Sequence, residues 1–212
     1  MTAPTSRSSL VGAALGLVLL GLLVAFAVAL PESAHSTKSE AAPDPDAAIS
    51  LPDTLPGGWT AVDVAGPKGA DAAQTKEFTD NQTKALRYVT DVLEKVYAVP
   101  TTFRVYATSD LSEYITLTAW GAPGGAFGPN GLNDPELSGL ARAPVELVRI
   151  RDTVCTVNWQ PVPVGQAIDP AAKPTGVECQ LSEDGRTFQI GTGPMAPEES
   201  VKLLEAAAGA AT

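Results

Sequence analysis

TFRVYAT at 102–108 and EYITLTAW at 113–120 decide the fold. Phe103, Val105 and Ala107 alternate with Arg104 and Tyr106, and Ile115, Leu117 and Ala119 alternate with Thr116 and Thr118. Alternation with period two belongs to a strand that buries one face. Ser109, Asp110 and Ser112 supply turn chemistry between the two runs. They are therefore expected to pair as antiparallel neighbours.

Working toward the C-terminus, the same pattern recurs. Stretches 145–151 and 154–160 read as a hairpin about Asp152 and Thr153, and 177–182 and 186–192 as another about Asp184-Gly185, a strong turn dipeptide. Pro197 opens a closing helix over 197–209. Glu198 and Glu199 suit its positive end, and Val201, Leu204 and Ala208 give it a face. Toward the N-terminus, 70–98 holds a helix whose Leu86, Val89, Leu93, Val96 and Tyr97 recur at spacings of three and four. Lys84, Arg87, Asp91, Glu94 and Lys95 take its other sides, and Val99-Pro100 ends it. WTAVDVA at 59–65 reads as a first strand behind the turn Pro56-Gly57-Gly58. Strands in runs with helices near both ends predict an α+β domain over 51–212: a mostly antiparallel sheet with its helices packed on one face.

Two long loops interrupt this order. GAPGGAFGPNGLN at 121–133 is expected to lead into a short helix capped by Asp134, opened by Pro135 and docked by Leu137 and Leu140. Long loops are often functional, so Trp120 and Phe127 are the candidate binding residues of this one. The plainer reading folds both back onto the core. The second loop covers 161–175.

Cys155 and Cys179 are the only cysteines. On neighbouring strands in an oxidising compartment they predict one disulfide, against the alternative of two buried thiols. Two cysteines without a nearby histidine do not make a structural zinc site.

The compartment follows from LVGAALGLVLLGLLVAFAVAL, which starts at Leu10 and stops at Leu30 and carries no charged, amide or hydroxyl side chain. As a helix it would span about 30 Å, the thickness of a bilayer's hydrocarbon core. Arg7 precedes it, while Glu32, Glu40, Asp44 and Asp46 follow against a single Lys38. That bias places the N-terminus (1–30 includes the membrane helix) in the cytoplasm and the rest outside. The run exceeds the about 7–15 apolar residues of a signal-peptide core, which favours a retained anchor. Ala25-Phe26-Ala27 and Ala27-Val28-Ala29 keep cleavage and secretion as the alternative. Gly12 and Gly16 have the spacing of a helix-dimer contact, but small residues are common in membrane helices. Stretch 31–50, rich in Ala, Ser, Pro and acid, is expected to be a disordered tether with a typical reach of about 25 Å. The only histidine, His35, lies in it.

Charge and motifs narrow the function classes. From residue 51 onward 12 Lys and Arg stand against 20 Asp and Glu, a balance of −8. Such a surface repels phosphate backbones, so nucleic acid is not an expected partner. Without a histidine in the domain there is no His-dependent triad. Gly191-Thr192-Gly193-Pro194-Met195-Ala196 fits G-x-G-x-x-A by letter, but Pro194 interrupts it and only one helix follows. Glu183 and Asp184 read as solvated acids of a turn. No catalytic, cofactor or metal residues are therefore assigned.

The 10–30 run, the tether sequence Ala42-Pro43-Asp44-Pro45-Asp46 and the motif Pro56-Gly57-Gly58-Trp59 resemble, in organisation, membrane-anchored extracytoplasmic proteins of high-GC Gram-positive bacteria. The resemblance implies a cell-envelope setting and brings no active-site residues. The expected function is a membrane-tethered binding or interaction module for an envelope protein or small ligand. The alternatives are an envelope-acting enzyme without histidine catalysis, or a structural partner in a membrane complex.

Overall fold

The computed structural model describes residues 48–212. The expected membrane helix over 10–30 and the tether as far as residue 47 lie outside them. The chain forms β1 (Thr54–Leu55), β2 (Trp59–Ala61), α1 (Ala72–Tyr97), β3 (Thr101–Ala107) and β4 (Tyr114–Trp120). It continues with β5 (Val145–Ile150), β6 (Thr153–Asn158), β7 (Gly176–Glu183), β8 (Arg186–Thr192) and α2 (Pro197–Ala210). The strands make one sheet in the order β1-β2-β3-β4-β8-β7-β6-β5, and every neighbouring pair is antiparallel. At the β7–β8 turn, Asp184 and Gly185 both have positive φ, 51° and 74°, as a two-residue hairpin turn of this hand requires.

The expected antiparallel α+β sheet is present, but its helices lie on opposite faces. The register shows why. Tyr106 faces Ile115, Leu117 faces Ile190, Ile190 faces Cys179, and Cys179 faces Cys155. These residues form one face, which α2 covers with Val201, Leu204 and Ala207. Phe103, Val105 and Ala107 point the other way and meet Leu86 and Phe78 of α1. β3 is thus apolar on both sides, and Tyr106, which alternation would turn outward, is fully buried. The expected disulfide joins Cys155 to Cys179 across β6 and β7, with Cα atoms 4.0 Å apart.

The fold begins earlier than expected. Ile49 and Leu51 are buried, and Ser50 exchanges backbone hydrogen bonds of 2.8 and 3.2 Å with Thr212. The last two residues of the predicted tether therefore belong to the domain. Outward-reading side chains of β3 hold this segment: Thr102 donates to the Ile49 carbonyl, Arg104 Nη1 to that of Leu51 and the Tyr106 hydroxyl to that of Pro52. The Arg104 fork also grips Asp63 through two bonds of 3.0 Å and Asp53 through one of 2.8 Å. Burial works against the Arg104 charge, but the Asp63 and Asp53 bonds outweigh it and raise its pKa. Burial likewise pushes the Tyr106 phenol up to about 12, against the opposing pull of Arg104.

α1 starts at Asp71, whose side chain accepts from the Gln74 amide while Gln74 reaches back to the Asp71 amide. Of its expected apolar face, Leu86 is buried and Val89 and Leu93 are half-buried, but Val96 and Tyr97 are exposed. A second role of the helix is absent from its hydrophobic pattern. Within β3, β2 pairs only with Tyr106 and Ala107, so on that edge the first half of β3 has no strand beside it. There Thr90 Oγ1 accepts from the Phe103 amide and Glu94 Oε1 from the Thr101 amide. Four helical residues advance about 6 Å and two strand residues about 6.6 Å, so the two ladders match.

One expected element is missing. Residues 134–140 make turns rather than a docked helix. Asp134 does accept from the Glu136 amide, but Gly139 at φ 65° reverses the chain after one turn, and Leu137 is 88% exposed.

Candidate functional site

Two concavities lie at opposite ends of β4, about 20 Å apart at the rise of a strand. The first surrounds Trp120. α1 ends at Ala98, in the left-handed region at φ 55°, and the chain turns straight into β3. Thr101 pairs with Trp120, so the last turn of α1 hangs over the end of β4. The Tyr97 and Trp120 rings meet edge to face, with centroids 6.2 Å apart and planes at 79°.

The floor comes from register. Trp120 faces Thr187, and Thr187 faces Ser182; one row along, Thr118 faces Gln189, and Gln189 faces Gln180. These rows share the face that α1 covers only over β3. The start of the 121–133 loop builds the far wall. Thr187 Oγ1 donates to the Ala122 carbonyl at 2.7 Å, and the Gly124 amide donates to Ser182 Oγ at 3.1 Å. A Cβ at Gly124 would collide with that same oxygen, so the loop approaches the sheet only because residue 124 is glycine.

The result is a hollow of about 340 Å³, between Tyr97, Val99, Trp120, 122–125 and the side chains of Gln180, Thr187 and Gln189. None of these is charged. Gln189 Nε2 is occupied by Glu178 Oε1, on the neighbouring strand. Trp120 Nε1 is buried and has no hydrogen-bond partner. Of the two residues singled out in the loop sequence, Trp120 lines the hollow, whereas the half-buried Phe127 does not.

The second concavity, about 640 Å³, lies where the β3–β4 turn approaches the start of α2, with Glu113, Tyr114, Lys173, Met195 and Glu199 in its lining. Its charges are of both signs. Beside it, the Thr108 and Ser112 hydroxyls donate to Asp110 and hold its carboxyl down at about 2. Those bonds shape the turn around Leu111, at φ 58°. Among the described residues, no three His, Cys, Asp or Glu side chains gather as a metal site.

Sequence reasoning missed Gln180 and Gln189. They are polar residues in strands whose partners sit far away in the chain, and only the β4-β8-β7 order brings them under Trp120. Compared with protein-family models, curated proteins and solved structures, the chain matches none.

Proposed function

We propose that this protein is an extracytoplasmic binding module, tethered to the membrane through residues 10–30, that holds an envelope ligand in the Trp120 hollow. The observation that carries this reading is an open, uncharged concavity in which the paired Tyr97 and Trp120 rings stand beside the side chains of Gln180 and Gln189. An aromatic pair beside polar side chains in a concavity suits recognition of a small ligand. The enzyme alternative gains no support from a serine–lysine contact, since the lysine hydrogen bond among the described residues joins Lys76 to Asp80.

Photo-crosslinking in intact cells tests the reading. A Cβ at Gly125 meets no atom within 4 Å, so a photoreactive side chain placed there in the full-length chain is accommodated. Illumination is expected to yield an adduct with envelope material that disappears in Trp120→Ala. An adduct pattern indifferent to Trp120→Ala overturns the proposal.

A further inference from the structure

We infer that the Trp120 hollow takes a neutral sugar ring, the exposed residue of an envelope glycan; this rests on the binding reading above and names its ligand class. The lining excludes charge. An ionic group entering the hollow would find no opposite charge among its lining residues, and an unpaired charge is expensive to desolvate.

The remaining chemistry is of two kinds, and a sugar ring has both. Trp120 and Tyr97, in edge-to-face contact, both contribute aromatic surface to the lining of the hollow. Aromatic faces carry negative charge density, which attracts the weakly positive C–H groups of a pyranose face. Opposite them, the Gln180 amide offers donors and an acceptor at one point, matching a pair of adjacent hydroxyls. A purely apolar ligand would cover the Gln180 amide and leave it unpaired.

Size and shape agree. A hollow of about 340 Å³ sits at the low end of small-ligand pockets, about 300–1,000 Å³. It is closed on one side by 122–125 and on the other by the end of α1, so it suits one or two rings rather than a long extended peptide. Gly124 and Gly125 add wall without side chains, which leaves room for ring substituents.

The test follows the indole N–H signals of the full-length protein by NMR in a sugar-free detergent. Its three tryptophans, Trp59, Trp120 and Trp159, are assigned with Trp120→Phe. The probes are trisaccharides of N-acetylglucosamine, galactose, mannose and arabinose at up to about 10 mM, enough to saturate a site with a Kd of about 1 mM. At least one is expected to shift the Trp120 signal saturably. Gln180→Ala is expected to weaken that sugar about tenfold while leaving Tm unchanged. A proline-rich decapeptide forms the second arm. If the peptide moves the Trp120 signal and no sugar does, the sugar assignment falls and the binding reading stands. If neither moves it, the sugar assignment falls, and the crosslinking result decides the binding reading alone. A sugar response untouched by Gln180→Ala also overturns the site as drawn.

Discussion

Tyr106 has its ring wholly inside the core and its hydroxyl on the Pro52 carbonyl at 2.8 Å. Its phenol is neutral when protonated, and burial raises its pKa to about 12 from the usual value near 10. The folded state therefore holds this proton more tightly than the unfolded state. That contribution to stability is complete below about pH 10 and disappears as pH rises toward about 12. Denaturant midpoints are expected to fall across that window. In an absorbance titration Tyr106 should ionise late, and Tyr106→Phe should flatten the alkaline limb. At neutral pH the same substitution strands the Pro52 carbonyl and is expected to lower stability by about 1 kcal/mol. An alkaline limb identical in Tyr106→Phe would place the titration elsewhere.

Among the elements, α1 does more than cover β3. Thr90 and Glu94 stand in for a missing strand by accepting the Phe103 and Thr101 amides. Unpaired edge amides are both a desolvation penalty and a template for pairing with another chain. Thr90→Val removes the acceptor at nearly constant volume, so it should destabilise by about 1–3 kcal/mol and speed hydrogen exchange at the Phe103 amide. Thr90→Ser should restore both. Equal midpoints for Thr90→Val and the native chain would show that solvent serves the amide just as well. The hydrophobic pattern revealed where these elements lie but not these contacts. Period two located β3 through β8, and turn residues such as Asp184-Gly185 separated them. The same alternation mis-assigned Tyr106, because a strand covered on both faces has no outward side to reveal. β1, only two residues long, carries too little pattern to be read. The 134–140 stretch has helix-start chemistry but lacks the apolar neighbour that would hold a helix there. Trp120 was legible as an aromatic beside a glycine loop. The hollow beneath it was not, because its floor is set by register across three strands.

For the whole molecule, the disulfide and the proposed export bear on one another. Cys155 and Cys179 face one another directly, so reduction need not move either strand. They are separated by 24 positions, and closing such a loop restricts the unfolded chain by about 3 kcal/mol in the entropic account. A domain's net stability is typically about 5–15 kcal/mol, so the bond is a large share of it. A protein folded in a reducing cytosol would lack this contribution, whereas one delivered outside by residues 10–30 would gain it. The full-length chain is therefore expected to fractionate with membranes and, alkylated in cells before any reduction, to leave both cysteines unmodified. Peptides linked through 155 and 179 should appear by mass spectrometry. Adding reductant to the purified protein should lower its Tm by several degrees, and the Cys155→Ser, Cys179→Ser double variant should show the same lower Tm with or without reductant. Both cysteines labelled in the untreated, membrane-bound protein would mean that the domain faces the cytosol, and would reverse the orientation proposed for the whole chain.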